Sequence, residues 1–153
     1  MEFLSTVISG ISLGGIYALI ALGYTMVYGI AKMLNFAHGD VIMVGAYVIF
    51  TIISTMGYPP IVGVIVAVAL CTVLGITIER IAYKPLRGAS SLAVLITAIG
   101  VSYFLQNMAL IVFGADTKSF KSIVKFGPFH LGGLVISGET LVTIVSCIII
   151  MII

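Results

Sequence analysis

Apolar residues run through this chain in long uninterrupted blocks, broken at a few points by short clusters of polar residues, glycine or proline. From Phe3 to Ala31 no residue is charged. A helix needs about 20 residues to cross about 30 Å of hydrocarbon, so this stretch predicts a first membrane span over 3–31. Val41 to Ile78 is again free of charge but too long for one span, and Gly57-Tyr58-Pro59-Pro60 divides it. Consecutive prolines remove backbone donors and push the preceding residue out of the helical region. The division predicts spans over 41–56 and 61–80, the apolar part of the latter ending at Ile78. A fourth span is expected from Ser90 to Gly114, and a fifth apolar run begins near Thr140 and stops at Ile153.

Between these blocks lie three polar stretches. Asn35-Phe36-Ala37-His38-Gly39-Asp40 sets an amide, an imidazole and a carboxylate between two apolar runs. Hydrocarbon supplies no water to such groups, so they mark an aqueous end, a protein-lined cavity or a broken helix, and a short turn between spans is the plainest form. Glu79 to Gly88 leaves the membrane with Arg80 and Lys84 four apart on a helix end, Pro85 as a stop and Arg87 beyond it. Each cation taken alone reads as an interfacial anchor that snorkels. Asp116 to Glu139 is the one extended polar segment. Gly132-Gly133, between Phe129-His130-Leu131 and Leu134-Val135-Ile136, predicts a small β-hairpin there.

Within the spans, Gly10 and Gly14 form a GxxxG pair that would admit a neighbouring helix closely. Tyr17, Tyr24 and Tyr28 share one helical face, and packing in the bundle is their expected role. Gln106 and Asn107 are adjacent amides in the fourth span. Such groups normally face other helices, since an unpaired amide in hydrocarbon is costly.

Composition sharpens the picture. The chain is 61% hydrophobic and 8% charged, with a mean hydropathy of +1.33, against about a quarter charged residues in soluble domains. The expected fold is an all-α polytopic membrane bundle of four spans and the start of a fifth, with a small extracytoplasmic hairpin and one domain over 1–153. A net charge of +2 with scattered basic residues excludes nucleic acid as a partner. Cys71 and Cys147 sit in apolar runs and behave as small hydrophobes. If Asn35 to Asp40 is a simple reversal, Lys32, Arg80, Lys84 and Arg87 share one side and Lys118, Lys121 and Lys125 the other. That narrow balance of four against three puts the amino terminus outside, Arg80 to Arg87 in the cytoplasm and the hairpin outside. A re-entrant hexapeptide would put the amino terminus inside.

Catalytic motifs are lacking. Gly10-Ile11-Ser12-Leu13-Gly14 matches G-x-S-x-G but lies in a membrane helix rather than on a strand-to-helix turn. The sequence has no phosphate-binding G-x-x-x-x-G-K-[ST] loop, and neither His38 nor His130 has a second ligand at metal spacing. Transport chemistry remains. Polar residues at a glycine-interrupted helix point to a substrate path, while His38 with Asp40 would also suit a proton relay.

Three stretches go further: Gly14 to Ile30 (GGIYALIALGYTMVYGI), Leu34 to Asp40 (LNFAHGD) and Ile78 to Arg87 (IERIAYKPLR), followed by Ala98 to Ser102 and Phe104 to Asn107. In these the chain closely resembles the LivH-type permease subunits of the branched-chain amino acid ABC importers, from near its start to about Asn107. The resemblance implies a multi-pass subunit of the inner (plasma) membrane that is no enzyme and binds no cofactor. Its implied partners are a second homologous permease, two cytoplasmic ATPases and an extracytoplasmic substrate-binding protein that delivers leucine, isoleucine or valine. Asn35, His38, Gly39 and Asp40 correspond to the family's polar break after its first long helix and are expected to shape the translocation path or its gate. The family continues through further spans and an ATPase-docking loop that this sequence does not include. The alternatives are therefore a truncated, non-transporting fragment, expected to be uncoupled, and a proton-coupled secondary carrier.

Overall fold

A computed structural model describes residues 2–119, 127, 129–131 and 134–152, with nothing beyond the backbone for 2, 129–131, 134 and 135. Among the described residues five α-helices follow one another: α1 Glu2–Ala31, α2 His38–Phe50, α3 Pro60–Ile78, α4 Ser91–Phe113 and α5 Gly138–Ile152. Two of them are prolonged. A π-helical turn, Thr51–Thr55, extends α2; a π turn, Glu79–Tyr83, and a 3₁₀ turn, Lys84–Leu86, extend α3. Four of these segments are long and apolar enough to cross a membrane: Phe3–Ala31, His38–Thr55, Pro60–Leu86 and Ser91–Phe113. The protein is an all-α polytopic membrane protein. Strands β1 Phe129–Leu131 and β2 Leu134–Ile136 pair antiparallel, Leu131 opposite Leu134. Gly132 and Gly133, like Lys121 and Lys125, lie outside the described residues.

Local chemistry sets the helix ends. Pro59 is extended (φ −58°, ψ 146°), as a residue before proline prefers, and Pro60 opens α3 where a missing donor costs nothing. Gly57, at φ +70°, lets the chain leave the preceding π turn, where the Met56 amide donates to the Thr51 carbonyl. Ser90 caps α4 by accepting from the Ala93 amide at 3.4 Å. Lys32 ends α1 in the left-handed region, φ +55°, its amide donating to the Tyr28 carbonyl at 2.8 Å.

The residues form two compact units, Met1–Met26 with Lys121–Ile153, and Val27–Phe120. In the first, α1 and α5 approach at Gly15. A Cβ there would lie 3.0 Å from the Cys147 sulfur, so only glycine admits the contact unchanged. In the second, α2 packs on α3 and α4. The most deeply buried side chains of that unit are small, Ala37 and Ala98 at 0% exposure, with Gly45, Gly63 and Ala67 also buried. Large apolar side chains such as Ile65, Ile76 and Ile111 face outward. This inversion of soluble packing is expected where lipid is as apolar as leucine and close backbone contact is what joins helices.

Candidate functional site

The hexapeptide divides between a turn and a helix. Asn35 lies in the turn after α1, where its Oδ1 accepts from the Ala37 amide at 3.1 Å, a local bond of the kind that lets Asn replace helix with turn. The same oxygen accepts from the Tyr83 hydroxyl at 2.9 Å, which ties the turn to the π-helical end of α3. The His38 amide donates to the Asn35 carbonyl at 3.2 Å, and α2 begins there, three residues earlier than the polar break suggests. The correction has a physical cause: Asp40 need not stay outside the helix, because its carboxyl group has partners inside the bundle.

Those partners come from one face of α4. Ser102 Oγ donates to Asp40 Oδ2, and Gln106 Nε2 donates to Asp40 Oδ1 at 3.0 Å. Gln106 also reaches Ser102 Oγ at 3.2 Å, so the three side chains close a ring of hydrogen bonds. Ser102 and Gln106 stand one helical turn apart, which is what lets both converge on one carboxyl group. Asp40 is only 8% exposed. Burying such a group without partners would cost several kcal/mol, and the two donors offset that cost.

Depth distinguishes this cluster. Ser102 lies eleven residues beyond Ser91, about 16 Å along α4 at 1.5 Å per residue. Lys32, only eight residues before Asp40, lines a cavity with Ser91 itself and Arg87. Between Lys32 and Asp40 the chain thus passes from the level of Ser91 to that of Ser102. Seven residues on from Asp40, Tyr47 stacks on Phe113, with ring centroids 4.6 Å apart and an interplanar angle of 9°. Helices α2 and α4 therefore run parallel with two fixed points of contact. Between α2 and α3, a Cβ on Gly45 would meet the Cys71 sulfur at 3.0 Å, and Cys71 donates weakly to the Val41 carbonyl at 3.5 Å.

The other singled-out residues are scattered. His38 is half-buried at the start of α2, and Gly39 is exposed. A Cβ at Gly10 or Gly14 would meet nothing within 4 Å in this chain; the close approach on α1 falls at Gly15 instead. Tyr17 and Tyr28 are exposed and Tyr24 is half-buried. Asn107 donates to the Tyr103 carbonyl of its own helix at 2.7 Å. Arg80 and Lys84 are exposed, and Arg87 pairs with Glu79 at 2.7 Å. Pattern reading left Ser102 and Tyr83 without a role, although Ser102 and Gln106 at i and i+4 were a visible signal.

Residues 6–153 match the family model described as branched-chain amino acid transport system / permease component. The chain belongs to that family. Among curated members of this permease family it is 40% identical, over 89% of its own length and 48% of the relative's, to the high-affinity branched-chain amino acid transport system permease protein BraD of Pseudomonas aeruginosa. It is 44% identical to the permease protein LivH of Salmonella typhimurium and 43% identical to that of Escherichia coli K12, in each case over 80% of its length and 42% of theirs. The chain thus spans a little under half the length of these permeases. No solved structure matches it significantly.

Proposed function

We propose that this chain forms the membrane-spanning path of an ATP-driven importer of branched-chain amino acids, with Asn35, His38, Gly39 and Asp40 at the path or its gate. The family match over residues 6–153 carries this reading. The named activity of the relatives, high-affinity branched-chain amino acid transport, supplies leucine, isoleucine and valine as substrates. A polar ring at mid-height of an apolar bundle supports the placement of the path, since ionisable residues inside a membrane face the bundle interior or a water-filled cavity.

In this reading the subunit sits in the inner (plasma) membrane with its amino terminus outside and the Arg80 to Arg87 end in the cytoplasm. It works by alternating access beside a second homologous permease. An extracytoplasmic binding protein delivers the amino acid, and two cytoplasmic ATPases drive the cycle, so this chain needs no cofactor of its own. Deleting the gene that carries this sequence, in a strain with no second high-affinity system, is expected to abolish uptake of labelled leucine, and a plasmid copy should restore it. Unchanged uptake would overturn the proposal. Uptake that survives ATP depletion but collapses with the proton gradient would assign a proton-coupled carrier instead.

A further inference from the structure

The end of the bundle that gathers Lys32, Arg80, Lys84 and Arg87 contains a cavity of about 360 Å³. It lies among the end of α1, the 3₁₀ turn after α3 and the start of α4, and its lining combines Tyr28, Lys32, Leu34, Arg87, Ser91 and Leu95. Two cations line it, with no carboxylate among the lining residues. The nearest carboxylate, Glu79, holds one Arg87 nitrogen at 2.7 Å and leaves the other guanidinium donors available. Over the two segments that supply the charge, four cations face Glu79 alone, a local balance of +3. The first turn of α4 adds the positive end of a helix dipole.

Lys32 carries the second observation. It occupies the left-handed region at φ +55° directly after α1, the position where glycine costs least. A lysine there holds a strained backbone, and the residue so held is one of the two cations that line the cavity. Basic pockets between membrane helices bind anionic headgroups, and a cavity near the small end of ligand pockets suits a headgroup and the first carbons of its chains.

We propose that this cavity holds the headgroup of an anionic phospholipid, its phosphate between Lys32 and Arg87 and its first methylenes against Leu34 and Leu95. The inference is independent of which solute the permease carries. An acidic protein segment is the competing occupant, but the apolar walls beside the cations favour a molecule with both a phosphate and a hydrocarbon chain.

The test is titration of the purified full-length permease with phosphatidylglycerol or phosphatidylcholine in detergent at physiological salt, read by native mass spectrometry. Phosphatidylglycerol is expected to be retained preferentially. Lys32→Gln and Arg87→Gln should each weaken that retention roughly fivefold, the worth of one cation near an anionic lipid. Arg80→Gln and Lys84→Gln, which remove exposed cations outside the lining, should change it less than about twofold, since salt screens surface charge beyond about 8 Å. Lys32→Arg should restore binding, and Lys32→Gly should lose the lipid without loss of thermal stability, which separates recognition from folding. Equal effects at all four cations, no preference over phosphatidylcholine, displacement by millimolar inorganic phosphate, or displacement only by an acidic peptide would each overturn the proposal.

Discussion

Two polar clusters in the Val27–Phe120 unit use similar bonds to opposite ends. Around Asp40 the carboxyl group is buried and matched by Ser102 and Gln106 at mid-height of α4. Around Arg87 the guanidinium meets Glu79 in the open, the two side chains 67% and 45% exposed. Water and salt weaken the second pair, whereas the carboxyl group of the first is shielded at 8% exposure. A bond of 3.0 Å inside and one of 2.7 Å outside therefore differ in consequence in the reverse order of their lengths.

The largest effect should come from Asp40→Asn in the full-length permease. One oxygen becomes an NH₂ group facing a single donor, Ser102 Oγ or Gln106 Nε2, a mismatch worth up to about 1–3 kcal/mol. Leucine uptake is expected to fall about tenfold while the folded protein recovered from the membrane stays within about twofold. Equal loss of both would make Asp40 structural and erase the functional side of the contrast.

Next comes Gly45→Ala, which drives a methyl group to 3.0 Å from the Cys71 sulfur. Overpacking of this kind costs about 1–3 kcal/mol and should lower the melting temperature of the purified permease. Adding Cys71→Ala should recover most of the loss, and failure to do so would move the strain elsewhere. Tyr83→Phe removes one of the two donors to Asn35 Oδ1 and is expected to cost about 1 kcal/mol by the same melt. Glu79→Gln should sit below about 0.5 kcal/mol, as exposed ion pairs do. A Glu79 effect larger than that of Tyr83 would invert the ranking on which the comparison rests.

The parts of this molecule that were legible in sequence are those governed by solvent. Long charge-free runs can only be helices in hydrocarbon, and Pro59-Pro60 can only start one, so the bundle and its main break follow from composition and backbone chemistry. Depth was not legible. Nothing in Asn35 to Asp40 tells that Asp40 lies 16 Å along α4 rather than at its end, because that depends on a register between segments 62 residues apart. Nor does spacing tell which glycines meet another part of this chain. Gly10 and Gly14 form the motif, yet within the chain it is Gly15 and Gly45 that meet a sulfur, since helix rotation, not the presence of glycine, decides which one faces a neighbour.

Parallel helices fastened at Asp40 and at Tyr47 have only one register that satisfies both points. Sliding α2 by one turn, about 5.4 Å, would set its carboxyl group beside Ala98 or Leu110 in place of one donor and would part Tyr47 from Phe113. Like two pins through one plate, the two contacts fix α2 against α4 where either alone would let them turn about a single point.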